Sequence, residues 1–206
     1  MKKLMALAAM AAALLFGAAA PAAADTDFEG SHSVTLNNSD PGLVVHSSPI
    51  NTNFSFTLAE GGSQTISLFS LYTLESAINA DDLTPKPIEV LFGFTLPVAF
   101  GGSVDGSTVG WRSLTGFFQG GSVTWNGPVQ LAFGNGGILE VALNNTTFNN
   151  GILWGTGNVG ATIEGTFTLV QAAAIPEPGV WALMIAGFGL MGAALRRQRA
   201  LGFAAA

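Results

Sequence analysis

His32 and His46 are the only histidines in this 206-residue chain, and each has serine neighbours: Ser31 and Ser33, then Ser47 and Ser48. Asp40 lies between them in sequence. A serine nucleophile needs a base, and the base needs an acid to orient it, so the residue types of a serine hydrolase are present. The G-x-S-x-G turn that would expose such a serine is not, and serine neighbours arise by chance where all fourteen serines fall between Ser31 and Ser122. Both histidines are therefore expected to be exposed strand or loop residues. Glu140 and Glu164 are mid-strand carboxylates on the polar side. Acid/base work on a glycan would require such a pair roughly 5 to 9 Å apart. The expectation is instead that they are solvated and keep an acidic surface soluble.

Asp81-Asp82 and the Asn37-Asn38-Ser39-Asp40 loop offer the hard oxygen ligands that calcium favours. Neither fits the D-x-[DN]-x-[DN]-G loop, and the asparagines equally make ordinary Asx turns. The chain has no cysteine, which excludes a disulfide scaffold, a thiolate zinc site and a cysteine nucleophile. Trp111, Trp125 and Trp154 could stack on sugar rings, although Trp125 is in phase with Val123 and is expected in the core. No catalytic residue, metal site or cofactor is assigned, and the protein is expected not to be an enzyme.

Charge is distributed unevenly. Lys2 and Lys3 open the chain and Arg196, Arg197 and Arg199 close it, while residues 25–174 hold only Lys86 and Arg112 against twelve carboxylates. An acidic body with no basic patch repels phosphate, which excludes a nucleic-acid binder. At the start, two lysines precede the apolar run Leu4–Ala20, then Pro21 and Ala22-Ala23-Ala24 come before the first acid, Asp25. This is the order of a secretory signal peptide, residues 1–24, with cleavage between Ala24 and Asp25, so the Sec machinery and signal peptidase are expected partners.

At the other end, Pro176-Glu177-Pro178 is a rigid, extended stop, because each proline fixes its own φ and biases the preceding residue away from the helix. The uncharged run Val180–Leu195 and the arginine cluster follow. Sixteen helical residues reach about 24 Å, somewhat short of a hydrocarbon core of about 30 Å. Local thinning and snorkelling arginines close that gap. Trp181 is expected at the outer interface and Arg196, Arg197 and Arg199 inside, as a positive stop. Gly187, Gly189 and Gly192 spell G-x-G-x-x-G, but the dinucleotide fingerprint needs a preceding strand and a βαβ unit. Small residues that admit a close intramembrane partner account for the glycines, with Phe188 and Leu195 completing the span.

Pro176-Glu177-Pro178, the span from Trp181 to Gly192 and the terminal arginines together resemble the PEP-CTERM sorting signal of Gram-negative bacteria, over about thirty residues (173–206). The resemblance implies that exosortase, an integral-membrane processing enzyme, recognises the tripeptide and the span and cleaves near them. It also implies a transient inner-membrane intermediate and delivery to the cell surface or an exopolysaccharide matrix, in a biofilm setting, with extracellular polysaccharide as a partner. Two departures are present: Gln198 interrupts the arginines, and residues 200–206 continue beyond them.

The elements that carry all this are strands. Residues 25–172 interleave glycine and asparagine with β-branched and aromatic residues, a composition of strands and tight turns. Period-two alternation is visible at Phe54/Phe56/Leu58, at Ala161/Ile163/Gly165/Phe167/Leu169, at Leu139/Val141/Leu143, at Val123/Trp125 and at Val129/Leu131/Phe133. Turns are expected at Asp40-Pro41-Gly42, Glu60-Gly61-Gly62, Gly101-Gly102, Gly120-Gly121, Asn135-Gly136-Gly137 and Asn150-Gly151. This spacing predicts eight to ten strands in an all-β antiparallel sandwich of jelly-roll or immunoglobulin-like kind, with a barrel as the alternative and only 71–82 open to a short helix.

Overall fold

Alternation of apolar and polar side chains becomes two antiparallel sheets. The structure, a computed structural model, describes residues 25–50, 52–152 and 160–174, together with 181, 184–192 and 196. Eleven strands lie among the described residues: β1 (Thr26–Thr35), β2 (His46–Pro49), β3 (Asn53–Leu58), β4 (Ser63–Tyr72), β5 (Lys86–Leu96), β6 (Phe100–Arg112), β7 (Phe118–Trp125), β8 (Val129–Phe133), β9 (Gly137–Leu143), β10 (Thr146–Ile152) and β11 (Ala161–Gln171). One sheet has the order β10-β7-β6-β5-β1-β3 and the other β2-β4-β11-β9-β8. They fall in one compact unit, residues 24–174.

Every alternating segment puts its apolar phase inward. Phe54, Phe56 and Leu58 are buried while Ser55 and Thr57 are exposed, and Ile163, Phe167 and Leu169 are fully buried in β11. Phenylalanine rings bring strands of the two sheets into contact: Phe167 of β11 lies 5.3 Å from Phe54 and 4.9 Å from Phe56 of β3, and Phe28 of β1 lies 5.4 Å from Phe133 of β8. Trp125 is in this core, its indole N–H donating to the Asn144 carbonyl at 3.1 Å. A buried indole needs such a partner.

The turn chemistry is partly revised. Gly42, Gly61 and Gly136 have φ of 97°, 78° and 80°, so those three segments turn as expected, through the left-handed region that favours glycine. Gly101-Gly102 and Gly120-Gly121, by contrast, lie inside β6 and β7. A Cβ on Gly102 would stand 2.4 Å from Leu131 Cδ2, and one on Gly121 only 2.2 Å from the Phe148 ring. These glycines make room for facing side chains. Asn150-Gly151 lies within β10, where the register shifts between Phe148 and Gly151 and Asn149 takes φ of 51°. Residues 71–82 form no helix: Leu71 and Tyr72 finish β4, and the rest is a loop whose amides are taken by side chains, Glu75 N–H by Thr73 Oγ1 and Asn79 N–H by Asp82 Oδ2. Such local bonds compete with helical ones.

Strand register sorts the connections to two ends. The 36–45 and 73–85 loops and the β6–β7 turn share one end, joined by Gly42 N–H to Asp81, by Ile78 N–H to Gln119 and by Arg112 to the Ile78 carbonyl. The opposite end holds Thr26, which is paired with Leu58. The turn after Leu58 is bonded to Leu169, and Ala174 bonds to Asn135. The first and last strands therefore begin and finish at the same end. Separately, the described residues 184–192 near the C-terminus are helical.

Candidate functional site

Burial decides the fate of the sequence-derived candidates. His32 is on the inward phase of β1 and only 8% exposed, ringed by Phe69 at 5.6 Å, Phe92 at 6.3 Å and Phe54 at 6.5 Å. It is a core residue, which corrects the expectation of an exposed one. Loss of water pulls its imidazole below the ordinary 6.5, and its Nδ1 has no hydrogen-bond partner. His46 is half-buried on β2 and stacks on Tyr72 at 5.6 Å.

Glu140 and Glu164 share the outer face of one sheet. Glu140 stands opposite Thr168, four residues along β11 from Glu164. At about 3.4 Å per residue that separates them by roughly 14 Å, beyond the span of a carboxylate pair acting on one glycosidic bond. Glu140 accepts from Gln130 at 3.3 Å, and the Glu164 amide donates to Asn144 Oδ1 at 2.7 Å. Hydroxyls surround them, with Ser63 bonded to Thr168 and Thr65 to Thr166. Trp111 is half-buried on the outer phase of β6, and Trp154 lies outside the described residues.

Tertiary structure assembles two carboxylate pairs that sequence spacing conceals. Glu89 and Asp105 are direct cross-strand partners in β5 and β6. They border a groove of about 600 Å³ lined also by Thr35, Leu36, Asn37, Pro87 and Asn126. Direct partners hold their Cβ atoms about 5 Å apart. The alternation of Ile88 and Val90 with Glu89 signalled an outward carboxylate, but not its partner. The second pair joins both acidic segments considered for calcium. Gly42 N–H donates to Asp81 Oδ2 at 2.9 Å, Val44 N–H to Glu75 Oε1 at 2.6 Å, and Asp82, with no exposed surface, faces Glu75. Among the described residues no group of three or more His, Cys, Asp or Glu is placed to hold a metal ion.

Near the C-terminus, the apolar side chains of Trp181, Met184, Ile185, Phe188, Leu190 and Met191 are exposed, and a Cβ on Gly187, Gly189 or Gly192 would touch nothing within 4 Å. Among the described residues no helix is long and apolar enough to cross a membrane. Arg196 and Asp25 are described, whereas Ala22, Ala24, Pro176, Glu177, Pro178, Leu195, Arg197 and Arg199 lie outside the described residues. Residues 174–199 match the model of a known family. The chain carries a PEP-CTERM protein-sorting motif. The PEP-CTERM motif indicates an exported protein sorted to the cell surface, and it implies processing by exosortase, a membrane enzyme. The match takes in the proline-flanked glutamate, the glycine-bearing helix and the arginines, and leaves the β body outside it. No curated protein and no solved structure matches the chain.

Proposed function

We propose that this is a non-enzymatic structural or adhesive protein of the cell surface or exopolysaccharide matrix, as in a biofilm. Its body is a β-sandwich of jelly-roll or immunoglobulin-like kind. The PEP-CTERM motif at 174–199 carries the proposal. A signal peptide ending at Ala24 sends the chain through the Sec machinery. The segment from Trp181 to Leu195 then holds it transiently in the inner membrane, with Arg196, Arg197 and Arg199 as the stop. Exosortase acts at Pro176-Glu177-Pro178, because two prolines keep the backbone extended and prevent the membrane helix from running into the cleavage region. The hydroxyl-rich outer face around Thr65, Thr166 and Thr168 supports adhesion to polysaccharide, since its groups pair with sugar hydroxyls.

Mass spectrometry of the protein from intact cells and culture fluid tests this. The wild type is expected to end near Pro176, and replacing Pro176, Glu177 and Pro178 by alanine to leave full-length chains in the inner membrane. A wild-type terminus at Ala206 in the inner membrane would instead identify a permanently anchored periplasmic binding protein. A second reading, a secreted glycan hydrolase, is favoured by Glu89 and Asp105 beside their groove. Glycan turnover lost on Glu89→Gln or Asp105→Asn would establish it.

A further inference from the structure

The turn between β6 and β7, Ser113-Leu114-Thr115-Gly116-Phe117-Phe118, concentrates bare apolar surface. Leu114 is 109% exposed, and Phe117 and Phe118 are 57% and 56% exposed. Leu74 and Leu83 of the 73–85 loop are exposed at the same end of the body. Single exposed apolar residues are ordinary on a folded domain, but three in five positions of one turn, with the leucine standing clear of its neighbours, mark an interaction site. We propose that this turn is a lipid-contacting tip, which dips Leu114, Phe117 and Phe118 into the interfacial layer of a bilayer.

Shape and size favour a bilayer over a protein partner. A stable protein interface buries about 800 Å² per partner, roughly 20 to 30 residues a side, and a projecting tip of a few side chains falls well short. A fluid acyl layer needs no complementary pocket, because binding there scales with the apolar area removed from water. The backbone suits that setting. Ser113 N–H donates to the Phe118 carbonyl at 2.7 Å, Gly116 N–H to the Ser113 carbonyl at 2.8 Å and Phe118 N–H to Ser113 Oγ at 3.1 Å. Gly116 makes the tight return at a φ of 69°. The turn thus closes these polar groups on itself, where lipid would offer them no partner. Residues 113–139 carry no charge, and the adjoining Arg112 donates to the Ile78 carbonyl at 3.1 Å. Asp40, Glu75, Asp81 and Asp82 outnumber Lys86 and Arg112 in the loops and strand ends around the tip, so anionic headgroups are repelled and apolar area alone must hold the contact. The chain leaves the body at Ala174, at the opposite end, so the tip is distinct from the segment that carries the sorting motif. This inference goes beyond the proposed adhesive role and does not rest on it.

The chain has no cysteine, so Thr115→Cys at the tip and Ser33→Cys on the outer face of β1 each place a single environment-sensitive fluorophore on the full-length protein. The probe is a phosphatidylcholine vesicle containing lipid with a spin-label quencher on its acyl chain. Site-resolved quenching is read rather than bulk binding, because the apolar C-terminal segment can itself bring the chain to lipid. The label at 115 is expected to shift to the blue and be quenched, and the label at 33 to do neither. Leu114→Asp combined with Phe117→Asp is expected to abolish the shift at 115, and replacing half of the phosphatidylcholine by phosphatidylglycerol to weaken it. An unquenched label at 115, or equal quenching at 115 and 33, overturns the proposal whether or not the double variant folds. So does a shift that persists in the double variant or requires phosphatidylglycerol. A blue shift that grows with protein concentration in the absence of vesicles also overturns it and assigns the tip to a second copy of the chain.

Discussion

At 8% exposure among three phenylalanines, His32 is a neutral core side chain with an unsatisfied Nδ1. Its folded-state pKa lies below 6.5, so its contribution to stability is complete above 6.5 and is lost as pH falls through the folded value. His32→Leu removes both the titration and the orphaned nitrogen, the latter a cost of about 1 to 3 kcal/mol. The variant is expected to match or exceed the wild type at pH 7 and to widen its lead as pH falls to 5, read as the difference between urea unfolding curves. His32 shares the inward phase of Phe28 in β1, a period-two signal that its serine neighbours conceal. Those serines point outward, as alternate residues of a strand must.

Strands were the most legible elements. Phe54/Phe56/Leu58 and Ile163/Phe167/Leu169 face the core as their alternation required, because one side of each strand is dry and the other wet. Double glycines were not legible, since the same pair serves a turn or a crowded strand. Gly121 faces the buried Phe148 ring, which has nowhere to move, whereas Gly102 faces only the end of the flexible Leu131 side chain. Gly121→Ala is expected to cost about 2 to 3 kcal/mol and Gly102→Ala about 1 kcal/mol, measured by thermal or urea unfolding. Equal costs would show that these glycines are not kept small by their neighbours. The 71–82 segment was misleading because a helical composition says nothing of Asn149 and Gln119, distant residues that claim its backbone groups.

For the whole molecule, the proposed removal of the tail requires a body that is stable without it. The compact unit finishes at Ala174, whose amide donates to Asn135, and β11 sits in the middle of its sheet between β4 and β9. A mature chain ending at Ala174 is expected to unfold cooperatively in urea and to remain monodisperse. One ending before Gly160 loses β11, with Phe167 and Leu169, and is expected not to fold; circular dichroism and gel filtration distinguish the two. The sequence by itself determined the sorting motif, the all-β class and the inward phase of the strands, because these depend on residues close together in the chain and on a period of two. Only tertiary structure decided which residues meet: that His32 is in the core, that Glu140 and Glu164 are far apart, and that Glu75 faces Asp82 and Glu89 faces Asp105. Those contacts arise from strand order, register and loop packing, which local pattern does not encode.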